Sequence, residues 1–185
     1  LKKNLPADVI VHINPVKRKK TAILVTKEYH CLGDMLVRHF FNTLDAEVCC
    51  VIGNYNDLEK FTSQFNVPFH HISHLEKSKK DFEKEILDVL SGYQPDYLVL
   101  AKFMRILSSQ FIDQYPRRII NIHHSFLPAF IGANPYRKAF ERGVKLIGAT
   151  AHFVTSDLDE GPIIAQQTIQ ADHTFTAADM VTSGK

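Results

Sequence analysis

Between residues 21 and 115, short unbroken apolar runs alternate with stretches whose apolar residues recur at helical spacing. Ala22-Ile23-Leu24-Val25 is one such run, the segment from Val48 to Ile52 another, and Tyr97-Leu98-Val99-Leu100-Ala101 a third. A run without polar alternation suits a strand covered on both faces. Between the runs, Leu32, Leu36 and Phe40 fall on one helical face, as do Phe82, Ile86, Leu87 and Leu90. Further helices are expected over 57–65 and 108–114, and a short strand beginning at 67–69. Strand–helix alternation predicts an α/β fold: an open, mostly parallel, Rossmann-like sheet with helices on both faces. Ligands of such sheets bind beyond the carboxyl ends of the strands, so the residues there carry the functional question.

The second half reads differently. Strands are expected over 119–123, 146–154 and 162–169, with a helix over 136–142 closed by Gly143 and another starting at Thr176. Before the first run, Ala7 to Ile13 reads as a short strand, and Lys17-Arg18-Lys19-Lys20 as a solvated linker. The 22 basic and 20 acidic residues nearly cancel, which gives no reason to expect nucleic acid as a partner. No apolar run approaches the roughly 20 residues of a membrane helix. Three cysteines, two of them adjacent (Cys49-Cys50), do not make a disulfide framework and suit a reducing compartment.

The sharpest segment is Asn121-Ile122-His123-His124 at the end of an apolar strand. Residues two apart share a strand face, so an amide and an imidazole stand together where an open sheet places its site. Both could equally be buried, satisfied hydrogen-bonders. The second segment is Thr150-Ala151-His152-Phe153-Val154, followed by the acidic loop Asp157-Leu158-Asp159-Glu160 and the turn Gly161-Pro162. Alone, that loop is a solvated turn. His70, His71 and His74 have metal-like spacing, but on a strand and loop they would not stack as on a helix, and no metal is expected. Cys31 at a helix start suits a wall of the pocket better than a nucleophile.

NIHHSFLPAFIGANPY (121–136), ERGVKLIGATAHFVTSDLDEGPII (141–164), VTKEYHCLGDML (25–36) and KFMRIL (102–107) together resemble the folate-dependent formyltransferase and deformylase family, and its deformylase branch most closely. The resemblance runs from about residue 21 to the end. It implies a formyltransferase-type sheet and hydrolysis of 10-formyltetrahydrofolate to formate and tetrahydrofolate, feeding one-carbon metabolism and purine synthesis. Carried over by motif, the catalytic residues fall on Asn121, His123 and Asp159. Those lining the folate pocket fall on Met104, Arg105, Ile106 and Leu107, with His152 as a second histidine of the site. The same resemblance implies no cofactor beyond the folate substrate, no membrane partner, a homo-oligomer and a cytoplasmic location. It also implies that 1–20 hold the end of an amino-terminal ACT-like domain and a linker, with 21–185 the catalytic domain short of its carboxy-terminal part. Tyr29 and Arg137 depart from the family's usual residues at the pocket rim.

Hydrolysis of a formamide needs an oriented water, donors for the developing oxyanion and a proton for the departing N10. Asn121 and His123 would supply donors, and Asp159 would orient the imidazole and move the proton. In the phosphate-binding members of the family the loop after the first strand is a Gly/Ser/Asn-rich cradle. Here it reads Lys27-Glu28-Tyr29-His30, in which Glu28 would repel a phosphate and Tyr29 would fill space. Three alternatives stand beside hydrolysis: formyl transfer to glycinamide ribonucleotide, a folate-binding regulatory protein without catalysis, and a dinucleotide-binding module. The last lacks the G-x-G-x-x-G expected after the first strand.

Overall fold

The computed structural model describes residues 17–129 and 135–184. Its elements run β1 (Lys19–Val25), α1 (His30–Phe40), β2 (Ala46–Gly53), α2 (Glu59–Ser63), β3 (Phe69–His71), α3 (Lys79–Tyr93) and β4 (Tyr97–Ala101). They continue α4 (Ser109–Ile112), β5 (Ile119–His123), α5 (Pro135–Glu141), β6 (Leu146–Phe153), β7 (Ile163–Gln170) and α6 (Ala177–Ser183). The seven strands form one sheet in the order β3-β2-β1-β4-β5-β6-β7. Pairing is parallel from β3 through β5 and antiparallel at β5–β6 and β6–β7. This is the expected open, mostly parallel α/β sheet, and its order reverses at β1, between β2 and β4.

Alternation along β1 builds both cores. Ala22 and Leu24 pack with Cys50, Ile52, Leu98 and Leu100 under Phe82, Ile86 and Leu90 of α3 and Phe111 of α4. Ile23 and Val25 face the other way, with Val51, against Leu32 and Leu36 of α1 and Leu58. Each fully buried aliphatic side chain contributes about 1.5–3 kcal/mol relative to exposure. The two apolar layers therefore hold the central strands rigid. A smaller third cluster joins Tyr136 and Ala139 of α5 to Ile147, Ala171 and Met180.

The basic run is not wholly linker. Lys19 and Lys20 belong to β1, pairing with Ala46 and Glu47, and backbone pairing wins because their ammonium ends can still reach water. β2 carries an irregularity where Thr21 pairs with Val48 and Ala22 with Cys50, so that Cys49 is the extra residue. The expected strand over 7–13 lies outside the described residues. Gly143 closes α5 at φ 65°, as its position predicts. Thr176 and Asp179 form a reciprocal capping box at the start of α6. Among the described residues no helix is long and apolar enough to cross a membrane.

Candidate active site at the ends of β4, β5 and β6

A cavity of about 430 Å³ opens beyond the ends of β4, β5 and β6. Its walls include Met104, Arg105, Ile106 and Leu107 from the loop after β4, Asn121 and His123 from β5, His152 from β6 and Asp159 from the loop after β6. All eight residues singled out in the sequence thus line one space. Its volume falls within the usual range for small-molecule sites.

The polar groups converge at one end. Asn121 and His152 are cross-strand partners, as are His123 and Thr150. Antiparallel pairing therefore puts all four on one face of the sheet. His152 is 1% exposed and His123 6% exposed. The Asp159 carboxylate reaches both rings, with Oδ2 3.5 Å from His123 Nδ1 and Oδ1 3.8 Å from His152 Nε2. His152 Nδ1 lies 3.0 Å from the Phe153 carbonyl, which can only accept. That nitrogen therefore carries a proton, and Nε2 is the acceptor of the Nδ1–H tautomer. It meets Asn121 Nδ2 at 3.2 Å, so the amide of Asn121 donates to it. His152 thereby fixes which way the Asn121 amide points.

Two devices bring Asp159 in. Its own backbone is left-handed, at φ 59°. Gly161 lets the loop close onto β6, because a Cβ at that position would stand 1.7 Å from the Phe153 carbonyl oxygen. The loop after β4 is pinned at both ends. The Thr26 hydroxyl donates to the Phe103 carbonyl, and the buried Glu83 carboxylate of α3 accepts from the N–H and hydroxyl of Ser108. Between these anchors Leu107 is buried while Met104 and Ile106 are 63% and 64% exposed, an apolar lip at the cavity mouth. Arg105 is exposed on the same loop.

Several positioning residues were not distinguished by their sequence setting. Thr150 is fully buried, and its hydroxyl donates to Ser125 O at 2.7 Å and accepts from Leu127 N at 3.1 Å. It ties the loop after β5 to β6. Gln166 of β7 reinforces this, donating to Leu127 O at 2.8 Å. His124, beside His123, also lines the cavity. Burial pushes its pKa down to about 4, aided by the nearby cation of Lys102. Sequence signals existed for two of these, the doublet His123-His124 and the Lys102 that opens KFMRIL.

Other expectations can be placed. Burial raises the Cys31 pKa, which disfavours a nucleophilic thiolate, and the residue packs beside the α1 core. His70 meets the Tyr93 hydroxyl at 2.7 Å, whereas His74 stacks edgewise on Tyr55 and Phe82. The three histidines of that segment do not converge. Among the described residues no group of three or more His, Cys, Asp or Glu is arranged to hold a metal. Tyr29 is a correction: it is 65% exposed, so it does not fill the space after β1. Its neighbours there are Glu28, 3.7 Å from His30, and Lys27, whose ammonium lies 4.1 Å from the Tyr55 ring centre. Arg137 pairs with Glu141 on the outer face of α5 at 3.0 Å.

The family model for formyl transferases matches residues 19–185. The chain belongs to the formyl transferase family. It is 51% identical over 181 residues to the formyltetrahydrofolate deformylase of Escherichia coli strain K12, covering 98% of this chain and 65% of that protein. Against the Bacillus subtilis formyltetrahydrofolate deformylase it is 47% identical, covering 90% of this chain and 56% of the relative. The chain thus spans less than two thirds of the length of these curated relatives. The crystal structure of a formyltetrahydrofolate deformylase from Pseudomonas syringae superposes with a TM-score of 0.87 at 41% identity, covering 91% of this chain and 56% of that one. A phosphoribosylglycinamide formyltransferase from Coxiella burnetii superposes at 0.83 with 32% identity, covering 90% and 80%. Hydrolases and transferases of the family share the sheet almost equally, so the fold does not choose between them and the site must.

Proposed function

We propose that the protein hydrolyses 10-formyltetrahydrofolate to formate and tetrahydrofolate. One observation carries the reading: Asn121, His123 and Asp159 line one cavity with the apolar side chains of Phe103, Met104, Ile106 and Leu107, and the carboxylate faces the His123 ring. The pterin and its linker occupy the arm walled by residues 104–107, with Arg105 at the exposed rim for the glutamate carboxylates. The formyl group then sits against β5.

The Asn121 amide, oriented by His152, gives one hydrogen bond to the formyl oxygen. The ring of His123 gives the second through Nε2, while Nδ1 faces Asp159. Donors aimed at a developing oxyanion are worth about 2.7–4 kcal/mol each in acyl transfer. Asp159, facing the His123 ring, orients the imidazole, accepts a proton from the attacking water and delivers it to N10 as the C–N bond breaks. No metal or other cofactor has a step in this scheme.

What favours water over an amine acceptor is the loop after β1. Glu28 stands there 3.7 Å from His30, and its carboxylate would repel the phosphate of an acceptor. The names of the relatives that match at about half identity agree with that reading, whereas the transferase structures match at lower identity. The protein would act in the cytoplasm as a homo-oligomer, supplying formate to one-carbon metabolism and purine synthesis. The deciding assay follows formate release from 10-formyltetrahydrofolate with no acceptor present, then with glycinamide ribonucleotide. Formate in the first arm is expected. Formate absent there, with N-formylglycinamide ribonucleotide in the second, would establish transfer instead; folate binding without either product would leave a regulatory binder.

A further inference from the structure

Lys102, the residue after β4, has a backbone conformation that lysine seldom takes. Its φ is 58°, in the left-handed region where Cβ crowds the following carbonyl. Met104 (φ 53°) and Asp159 (φ 59°), both on the same cavity, share it. Such backbone persists only where surrounding structure over-determines it, and it gathers at sites that must aim a side chain.

The register shows where this residue stands. Leu100 pairs with Asn121 in parallel fashion, so Lys102, two residues on, comes level with His123. Lys102 is partly buried and lines the cavity beside Asn121, His123, His124 and Asp159. Its charge bears on two groups from different elements: it adds to the burial-driven fall in the pKa of the His124 ring after β5 and opposes the burial-driven rise in that of the Cys31 thiol at the start of α1. Lys102 thus stands where the cavity meets the end of β5. That is the side from which a nucleophile must come if the folate occupies the arm formed by residues 103–107.

An ammonium in that place treats water and an amine differently. It stabilises the hydroxide-like charge on a water oxygen as Asp159 takes its proton, and the formate that results. An alkyl amine arrives largely protonated and is repelled. We infer that Lys102 selects water as the nucleophile, holding its oxygen towards the formyl carbon and excluding cationic amines. The inference rests on the hydrolase reading above and names a residue for its choice of acceptor. As the water oxygen bonds to the formyl carbon, the C–N10 bond breaks. One water proton passes by Asp159 to N10, and the other leaves when formic acid ionises. Formamide and water thus give a secondary amine, formate and a proton.

The test compares the native protein with Lys102→Met, Lys102→Gly and Lys102→Arg. Glycine tolerates the left-handed backbone, so Lys102→Gly removes the charge with the least strain on the fold. Formate and N-formylglycinamide are measured from 10-formyltetrahydrofolate with and without glycinamide, and tetrahydrofolate binding reports that each variant is folded. Both neutral variants should lose roughly tenfold or more in kcat, with KM moved less than about threefold. Their share of formyl groups ending on glycinamide should rise, while Lys102→Arg keeps the wild-type partition. Should the native enzyme hydrolyse while Lys102→Gly, still binding tetrahydrofolate, keeps both its rate and its partition, Lys102 is eliminated and the hydrolase reading survives. A native enzyme that releases no formate without an acceptor removes both.

Discussion

The parallel half of the sheet and its antiparallel half are built to different rules. In β1 the four residues Ala22 to Val25 are 0% exposed, and the strand is covered on both sides. In β7 every residue from Ile163 to Gln170 is exposed. Between these extremes, β5 and β6 bury polar side chains: His123, Thr150 and His152 are at most 6% exposed. The contrast is a division of labour. Apolar strands sealed by α1 and α3 supply rigidity. The neighbouring antiparallel pair can then hold imidazole and hydroxyl groups at fixed positions. A change in one half should therefore register as stability, and a change in the other as rate.

The largest expected effect tests the rate side of that division. Asp159→Asn keeps the volume and removes the charge that faces both His123 and His152. Turnover in the full-length protein should fall by roughly a thousandfold, about 4 kcal/mol of transition-state stabilisation, with the unfolding midpoint little changed. Formate release and thermal melting measure the two quantities on one sample. A variant that keeps more than about a tenth of the wild-type rate, within ~1.4 kcal/mol, takes Asp159 out of the mechanism.

The two halves also differed in how far they could be read from sequence. Buried parallel strands announce themselves, and the runs at 97–101 and 119–123 match β4 and β5 residue for residue. Where backbone pairing overrides composition, the reading slipped: Lys19 and Lys20 looked like linker yet pair with β2. In the antiparallel half, periodicity could place Asn121 with His123, and Thr150 with His152, on shared faces. It could not bring Asp159 to them. That approach depends on the return of the chain along β6, a left-handed residue at 159 and the close pass of Gly161 over Phe153. Only family resemblance pointed to it in advance. Lys102 lies in the KFMRIL segment and Thr150 shares the face of His152, but the groups that stand opposite them appear only in the fold.

The scaffold side is probed by Leu36→Ala. Leu36 is 0% exposed and packs in the core beneath α1, away from the cavity wall. Truncation should cost about 3 kcal/mol of unfolding free energy, within the 2–5 range for buried Leu→Ala. The kcat of the remaining folded enzyme should stay within about twofold of wild type. Urea unfolding and active-site-normalised kinetics separate the terms. A large fall in kcat at unchanged stability would show that the parallel half does more than hold the site.

A smaller effect sharpens the boundary between the halves, because His124 belongs to both the fold and the cavity wall. Burial holds its folded pKa near about 4, against 6.5 for a free histidine. Lys102, His123 and His30 act in the same direction, and Asp159 opposes them. A group whose pKa is depressed on folding takes up its proton in the unfolded chain first. Its contribution is therefore fully present above pH 6.5, declines as the pH falls below that value, and is exhausted near pH 4. The loss amounts to about 1.4 kcal/mol per pH unit inside that window, or about 2 kcal/mol between pH 6.5 and pH 5. Unfolding free energies of wild type and His124→Gln at pH 7.5, 6 and 5 isolate the term, since other titrating groups enter both proteins. The difference between the two should shift towards the variant as the medium is acidified. Parallel curves across these pH values would mean that His124 titrates normally in the folded protein, and that the cavity wall beside His123 is far wetter than its packing implies.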